Sequence, residues 1–315
     1  MRDLRILFMG TPEFATATLT KILDEGYKVV GIITAPDRPA GRGRKLQESD
    51  VKKYAVSKGL TVLQPTNLKN EDFLSELKAL NANLQIVVAF RMLPKAVWAM
   101  PEFGTFNLHA SLLPDYRGAA PINWAIINGE TETGATTFFI DDKIDTGEII
   151  LQKKTDITES DTAGTLHDRL MYLGADLVVE TVRHIEKGQV STEKQKNTSS
   201  SKIAHKIHRE TCEIEWSDSL ETIHNKIRGL SPYPTAWTTL VNGGEKIPLK
   251  IYGASKEKTT HQEHTGKVLG DGKTLKIAVK NGFIHLLGIQ LPGKRKMKAQ
   301  DLLNGFNFEE NAMVT

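Results

Sequence analysis

The sequence predicts an α/β protein in which a Rossmann-like, mostly parallel sheet domain is followed by a smaller OB-like β-barrel domain. In residues 1–189, short apolar runs alternate with helical patterns, which is typical of βαβ units. In residues 205–315, short strand patterns alternate with glycine turns, which suits a small antiparallel barrel. The chain has 315 residues, enough for two domains of ordinary size.

Four apolar runs of the first domain are predicted to be strands of one sheet. They lie at residues 5–10, 29–34, 84–90 and 105–109. The third run is apolar almost throughout, which is typical of a strand at the centre of a parallel sheet. Ser49 and Asn70 each precede a helical pattern, and their side-chain oxygens can cap the first turn of a helix.

The remaining elements define the predicted domain boundaries. Residues 121–127 and 162–187 carry helical patterns, while residues 135–140 and 148–152 are predicted to be a pair of strands. We expect a catalytic domain at residues 1–189, a polar linker at 190–204 and the barrel at 205–315. One helix at 219–228 precedes the barrel strands, among which are those predicted at residues 267–269, 274–279 and 283–287.

Charge is unevenly distributed along the chain. The net charge is +3, but residues 202–298 hold 17 Lys and Arg against 9 Asp and Glu, a difference of +8, which leaves −5 for the rest. A basic carboxyl-terminal third on an acidic body indicates a polyanionic partner. A lysine-rich solvated surface explains the same distribution equally well.

The sequence disfavours several classes of protein. The single cysteine, Cys212, rules out an internal disulfide, and one unpaired thiol fits a reducing compartment. No apolar stretch approaches the roughly 20 residues that cross a bilayer, and the first five residues lead directly into a strand. We therefore expect a cytoplasmic protein, and a monomer because no long exposed apolar stripe is evident.

Common cofactor and nucleophile motifs are missing from the sequence. The first strand is followed by G-T-P at residues 10–12 and not by G-x-G-x-x-G, and the G-R-G at residues 41–43 has no G-K-[ST] continuation. No G-x-S-x-G elbow is present. Hydride transfer, nucleotide hydrolysis and serine hydrolysis are therefore disfavoured.

Polar residues at the end of a predicted central strand indicate acyl-transfer chemistry. Asn107 and His109 are two residues apart and therefore project from the same face of the strand. Open α/β sheets bind ligands at the carboxyl ends of their strands, and the turn that joins the next two strands can return Asp145 to that edge. An amide donor, an imidazole and a carboxylate suit acyl transfer to a nitrogen nucleophile.

Each of these three residues also has an ordinary structural interpretation. A single histidine at a strand end is more often a satisfied structural residue, Asn107 can close a turn, and Asp145 can be one of several carboxylates that solvate a loop. Spacing alone does not choose between the two interpretations.

Motifs spread over essentially the whole chain resemble one known family. The string N-L-H-A-S-L-L-P at residues 107–114, with R-G-A-A-P-I at 117–122, resembles the 10-formyltetrahydrofolate-dependent formyltransferases. The D-T-G at residues 145–147 resembles the D-x-G element of that family. Other similar stretches lie at residues 8–15, 36–45, 214–216, 227–232 and 292–297. The basic loop and the terminal domain resemble those of members that act on tRNA.

The resemblance implies transfer of a formyl group from 10-formyltetrahydrofolate, a co-substrate, to the amine of methionine esterified to initiator tRNA. It implies that Asn107 donates to the formyl oxygen, that His109 handles the proton, and that Asp145 orients His109; no metal is expected. Residues 89–94 (A-F-R-M-L-P) depart from the family run A-Y-G-x-I-L-P. The residues expected to contact the folate are Ser111, Leu112, Leu113, Pro114, Phe90, Arg91, Met92 and Leu93.

Two basic segments are expected to contact tRNA phosphates. One is the glycine-containing loop at residues 36–45, and the other is the densest basic cluster of the barrel domain. An exposed mobile loop and a solubilising surface run are the structural alternatives. The residues concerned are Arg38, Arg42, Arg44 and Lys45 in the loop, and Lys294, Arg295, Lys296 and Lys298 in the barrel.

Three competing functions fit parts of the sequence. A folate-dependent formyltransferase acting on a small amine, such as a nucleotide sugar or a purine precursor, shares the same three residues but does not need the +8 terminal domain. A formyltetrahydrofolate hydrolase uses them with water as the nucleophile. An RNA-binding protein without catalytic activity can be built from the same two domains.

Overall fold

The computed structural model describes residues 1–40, 45–196 and 201–315. The described chain divides into two compact units. The first unit comprises Met1–Gly118, Thr133–Thr155 and Asp168–Ile203. The second unit comprises Ala119–Glu132, Asp156–His167 and Ala204–Thr315.

A seven-stranded sheet forms the centre of the first unit. Its strands lie in the order β10-β9-β7-β6-β1-β2-β5. Strands β7, β6, β1, β2 and β5 run parallel to one another, and β9 is antiparallel to β7. This confirms the predicted Rossmann-like, mostly parallel sheet. The strands of this part of the chain are β1 Ile6–Gly10, β2 Val29–Ile33, β3 Arg38–Ala40, β4 Lys45–Gln47, β5 Val62–Leu63, β6 Leu84–Val88, β7 Thr105–His109, β8 Arg117–Gly118, β9 Glu132–Phe139, β10 Ile149–Asp156 and β11 Ile203–Ala204.

Side-chain caps begin two of the helices, as the sequence predicts. The Ser49 hydroxyl accepts a hydrogen bond from the Lys52 amide at 3.0 Å, and the Asn70 side chain accepts one from the Phe73 amide at 2.9 Å. Each cap satisfies an amide that has no partner inside its helix. The helices of residues 1–186 are α1 Glu13–Asp24, α2 Asp50–Ser57, α3 Glu71–Ala79, α4 Lys95–Trp98, α5 Pro121–Ile127 and α6 Ala163–Glu186.

Burial of the central strands explains why their sequences are uniformly apolar. Every residue of β1 and every residue of β6 is buried. Parallel strands covered on both faces cannot alternate apolar and polar side chains. Because β1, β6 and β7 are adjacent and parallel, their carboxyl ends lie at one edge of the sheet, where ligands bind in folds of this class.

The second unit contains a nearly closed antiparallel barrel. Its strand order is β14-β15-β16-β13-β12-β18, with β17 paired to β16. Alternate residues of β12 are buried, beginning with Ala236, Thr238 and Leu240, so one face of this strand points into the barrel core. The elements are a 3₁₀ turn at Glu210–Cys212, α7 Leu220–Gly229, β12 Ala236–Asn242, β13 Glu245–Lys258, β14 Val268–Gly270, β15 Leu275–Val279, β16 Gly282–Gln290, β17 Met297–Lys298, α8 Ala299–Leu303 and β18 Met313–Val314.

The segment predicted as a linker begins with residues that are hydrogen-bonded to the first unit. Glu193 and Ile149 exchange two backbone hydrogen bonds, of 2.8 and 2.9 Å. The middle of the segment, residues 197–200, lies outside the described residues. None of the helices in the described ranges has the length and apolar character needed to cross a membrane.

A buried histidine connects the stability of the second unit to pH. His224 lies on α7, and the residue is 9% exposed. Burial lowers the pKa of His224, and the positive charges of Lys256 and Arg228 lower it further. The folded chain therefore binds a proton at His224 less readily than the unfolded chain, in which the imidazole has its ordinary pKa of about 6.5. The free energy of unfolding is fully present above that pH and falls as the pH decreases through it.

His224→Gln is expected to reduce the slope of the unfolding free energy against pH between about pH 7 and about pH 5. One proton contributes at most about 1.4 kcal/mol per pH unit to this slope. Urea unfolding at several pH values measures the change. His208→Gln, at an exposed position, is the matched control and should leave the slope unaltered. Equal slopes for His224→Gln and the unsubstituted chain would contradict the assignment.

Candidate active site

Asn107 and His109 lie at the carboxyl end of β7. That strand is held between β6, to which it is parallel, and β9, to which it is antiparallel. Asn107 is half-buried and His109 is buried. Because both neighbours of β7 are paired along its length, the backbone that carries the two side chains is fixed.

A main-chain carbonyl fixes the ring of His109. The ring Nε2 lies 2.8 Å from the carbonyl oxygen of Tyr116. A carbonyl oxygen can only accept, so Nε2 carries the proton and Nδ1 is the unprotonated nitrogen of the neutral ring. Nδ1 faces Asp145 Oδ2 across 3.8 Å. The ring is therefore oriented by the hydrogen bond that Nε2 donates to the Tyr116 carbonyl, while the carboxylate of Asp145, which the resemblance implies as the orienting group, faces the other ring nitrogen.

Asp145 is brought to His109 by the turn between β9 and β10. Its Oδ2 accepts a hydrogen bond of 2.9 Å from the Gly118 amide, and its side chain is only 15% exposed. The backbone φ of Asp145 is +55°, in the left-handed region that few residues other than glycine adopt. A carboxylate at this distance can stabilise an imidazolium by its charge without sharing a proton with the ring.

The same turn requires a glycine two residues later. A Cβ atom built on Gly147 would lie 1.6 Å from the Phe139 carbonyl oxygen. The close approach of the two chains therefore excludes every side chain at position 147. The D-T-G motif combines the acid with the glycine that allows the turn to close.

The Asn107 side chain is available to bond to a ligand. Among the residues that the structure describes, it forms no hydrogen bond. A half-buried amide without a protein partner can donate to an oxygen of a bound ligand. This distinguishes Asn107 from Asn83, whose side chain bonds to the backbone of Asp3 and Arg5.

The segment predicted to contact the folate through residues 111–114 is held rigidly. The Ser111 hydroxyl donates to the Asp115 carbonyl at 2.7 Å, and the Leu113 amide donates to the Thr136 hydroxyl at 3.1 Å. Ser111 and Leu113 are buried, whereas Leu112 and Pro114 are half-buried. Within this segment the side chains that remain accessible to a ligand are those of Leu112 and Pro114.

The second predicted folate segment follows β6. The Arg91 guanidinium donates to the Thr66 carbonyl at 3.1 Å and also to the Pro65 carbonyl. Met92 is 68% exposed, Phe90 is half-buried, and Leu93 packs in the core. The departure from the family pattern therefore places one arginine against the protein backbone and one methionine in solvent.

Gln195 is a residue of this region that no sequence motif indicated. Its side-chain amide donates to the carbonyls of Asp145 and Gly147 and accepts two hydrogen bonds from the Arg117 guanidinium. A glutamine in a polar segment carries no recognisable sequence signal. Tyr116 was also missed, because its contribution is a carbonyl that any residue supplies.

The predicted basic loop is only partly described. Arg38 is exposed on β3, which pairs with β4 in a short hairpin. Arg42, Arg44 and the side chain of Lys45 lie outside the described residues.

The base of the hairpin is braced by Lys52. Its ammonium group bonds to Asp37 on one side of the hairpin and, at 2.9 Å, to Glu48 on the other. These hydrogen bonds raise the pKa of Lys52, and its bond to Asp37 is the main cause that lowers the pKa of that carboxyl group. The two ends of the loop are thereby held to one helix.

The basic cluster of the second unit is accessible to solvent. Lys294, Arg295, Lys296 and Lys298 are all exposed. The Lys296 ammonium lies 4.7 Å from the centre of the Tyr252 ring, a cation–π contact. Nothing in these contacts neutralises the charge of the cluster.

Comparisons with known proteins agree on one family. The family model described as formyl transferase matches residues 4–182, and the model described as formyl transferase, C-terminal domain, matches residues 206–307. A protein of Flavobacterium johnsoniae described as methionyl-tRNA formyltransferase is 59% identical over 314 residues, which is 100% of both chains. One of Bacteroides fragilis with the same description is 51% identical and covers 98% of this chain and 97% of the relative.

Solved structures support the fold. The sugar 3N-formyl transferase WlaRD, solved with dTDP and 5-N-formyl-THF, superposes with a TM-score of 0.64 at 20% identity, covering 94% of this chain and all of that one. HypX from Aquifex aeolicus, in complex with tetrahydrofolic acid, gives a TM-score of 0.65 at 17% identity over 97% of this chain and 48% of that one. Since both family models match and both bacterial relatives align end to end, the chain belongs to the formyl transferase family.

Proposed function

We propose that this chain transfers the formyl group of 10-formyltetrahydrofolate to the α-amino group of methionyl-initiator tRNA, giving the N-formylmethionyl-tRNA with which translation begins. The observation that carries the proposal is the 59% identity, over the full length of both chains, to a relative described as methionyl-tRNA formyltransferase. Because charged tRNA is a cytoplasmic substrate, the proposed reaction assigns the chain to that compartment.

The main chemical requirement of the reaction is stabilisation of the charge that develops on the formyl oxygen. A free α-amino group titrates near ~7.7–8.0 and is therefore partly neutral at physiological pH. Its attack on the formyl carbon moves charge onto the formyl oxygen, and an amide donor there stabilises the transition state. The side chain of Asn107, which has no hydrogen-bond partner among the described residues, suits this role.

His109 suits the proton transfer that accompanies attack. Its Nδ1 is the only ring nitrogen that can accept a proton, because Nε2 donates to Tyr116. The attacking amine gives up a proton, the bond between the formyl carbon and N10 breaks, and N10 takes a proton in turn. One imidazole can serve both transfers. The charge of Asp145, 3.8 Å away, stabilises the imidazolium formed between them.

The donor substrate is proposed to lie along the edge at which β6 and β7 end. Exposed Met92, half-buried Phe90 and the half-buried Leu112 and Pro114 offer an apolar surface for the pterin ring. The side chains of Ser111, Arg91 and Leu93 are engaged with the protein. Contacts from those three positions would therefore come from their backbone atoms.

The acceptor substrate carries one negative charge per nucleotide. We propose that the loop residues Arg38, Arg42, Arg44 and Lys45 and the exposed cluster at residues 294–298 contact its phosphates. Such contacts release counterions from the nucleic acid, so binding weakens as salt increases. The small-amine alternative does not require either segment.

A transfer assay tests the function directly. The chain is incubated with 10-formyltetrahydrofolate and methionyl-initiator tRNA, and the amino acid released from the tRNA is analysed by mass. The proposal expects N-formylmethionine. Unmodified methionine contradicts it, and formate released without tRNA would identify a hydrolase.

Asn107→Ala is expected to lower kcat by roughly 100- to 1,000-fold, because one donor to the formyl oxygen contributes about 2.7–4 kcal/mol. The affinity for methionyl-tRNA, measured by gel shift, should stay within error because the side chain acts on the reacting carbon. Turnover near that of the unsubstituted chain would contradict the assignment of Asn107.

Arg42→Leu is expected to raise KM for the charged tRNA while leaving KM for the folate unchanged. The slope of log affinity against log salt should become shallower by about one, as expected when one phosphate contact is lost. Lys28→Leu is the matched control, since it removes one charge just before β2, away from the strand ends that carry the site. A defect confined to the folate KM, or equal effects of Arg42→Leu and Lys28→Leu, would contradict the assignment of Arg42.

A further inference from the structure

Gln195 joins three parts of the first unit that are distant in sequence. Its Nε2 lies 3.0 Å from the Asp145 carbonyl oxygen and 2.8 Å from the Gly147 carbonyl oxygen. Its Oε1 lies 3.0 Å from Arg117 Nε and 2.6 Å from Arg117 Nη2. One side chain thus contacts the turn that carries the acid and the residue immediately before Gly118, whose amide binds that acid.

The orientation of this amide group is fully determined by its partners. The two carbonyls can only accept and the guanidinium can only donate, so the nitrogen faces the turn and the oxygen faces Arg117. Both Nε2 hydrogens are used, and Oε1 accepts twice. No other uncharged side chain of this length provides two donors and an acceptor in one plane.

The turn needs an external partner because its backbone is strained. Asp145 has a φ of +55°, in the left-handed region where a residue with a side chain persists only when its surroundings hold it there. The hydrogen bond from Gln195 to the carbonyl of Asp145 acts on the strained residue itself. The bond to the Gly147 carbonyl fixes the other end of the same turn.

The segment that carries Gln195 is anchored beside the turn. The two backbone hydrogen bonds between Glu193 and Ile149 hold it to the first residue of β10. The Thr192 hydroxyl donates to the Glu148 carboxylate at 2.5 Å. Gln195 is half-buried, whereas its neighbours Lys194 and Lys196 are exposed. Its side chain is thus the inward-facing one of this segment.

We propose that Gln195 is a positioning residue, which holds the Asp145 carboxylate at the distance from His109 that formyl transfer requires. The proposal rests on the proposed function for the role of Asp145. Gln195 touches neither the reacting atoms nor His109, so its effect on the reaction passes through Asp145. Loss of its bonds lets the turn relax, and the carboxylate moves away from both Gly118 and His109.

Exchange of the Gly118 amide hydrogen tests the structural half of the proposal without any substrate. That amide donates to Asp145 Oδ2 at 2.9 Å, so its exchange rate measured by NMR reports whether the carboxylate is in place. Gln195→Met, of similar length but without an amide, should increase the rate severalfold at unchanged Tm. Gln189→Met makes the same substitution at an exposed position nearby and should leave the rate unaltered. An unchanged rate in Gln195→Met overturns the proposal.

A double-mutant cycle tests the functional half. Gln195→Met should lower kcat by roughly 10- to 100-fold, as a displacement near 1 Å does, with little change in either KM. Asp145→Asn should lower kcat by itself. Adding Gln195→Met to it should have almost no further effect, because Gln195 acts only through the charge of Asp145. Additive effects of the two substitutions overturn the proposal.

The cycle also distinguishes failure of the catalytic assignment of Asp145 from failure of the inference about Gln195. If Asp145→Asn keeps full turnover, the catalytic assignment of Asp145 fails, while the exchange of Gly118 still decides what Gln195 holds. If Asp145→Asn is defective and Gln195→Met is not, the inference about Gln195 alone is wrong. Gln195→Glu gives an independent check. Its carboxylate can still accept from Arg117 but cannot donate to the carbonyls of Asp145 and Gly147, so kcat should stay below that of the unsubstituted chain.

Discussion

The proposed chemistry depends on the hydrogen bond between His109 Nε2 and the carbonyl oxygen of Tyr116. Because a carbonyl cannot donate, this bond determines which ring nitrogen carries the proton and leaves Nδ1 as the proton acceptor. The nitrogen that accepts is also the one that faces the Asp145 carboxylate, at 3.8 Å. An imidazolium formed during the reaction is therefore stabilised by a charge that is already in place.

This arrangement is maintained by local backbone geometry more than by contacts between the His109 and Asp145 side chains themselves. Tyr116 presents its carbonyl from a left-handed conformation with φ +60°, and Asp145 occupies a similar conformation with φ +55°. Gly147 gives room for the Phe139 carbonyl, and Gly118 supplies an amide to the acid. Strained residues persist only when their surroundings over-determine them. The clustering of two strained residues around one imidazole therefore indicates that the position of each group is under constraint.

The sequence predicted those parts of the structure that depend on side-chain type and short-range spacing. Burial on both faces makes β6 apolar throughout, and the caps at Ser49 and Asn70 depend on local hydrogen bonds, so both were recognisable. The site was predicted as three residues, and the structure brings His109 and Asp145 to within 3.8 Å. The orienting role of Tyr116 was not predictable, because a main-chain carbonyl has no sequence signature. Gln195 was missed for another reason: it lies 50 residues beyond Asp145 in a polar segment, and only the fold brings the two together.

The exposed basic cluster and the residues of the proposed catalytic site lie in parts of the chain with opposite net charge. Residues 202–298 carry +8 and the remainder −5, yet His109, Asp145 and Gln195 all belong to the acidic remainder and to the first unit. A negatively charged body repels a polyanion, and the exposed cluster at residues 294–298, proposed above to contact tRNA, concentrates positive charge locally. The attraction between exposed cations and a polyanion weakens as salt increases, whereas the interaction between His109 and Asp145, which are largely shielded from solvent, is screened far less. The rate of the chemical step should accordingly depend on salt much more weakly than the affinity for tRNA does.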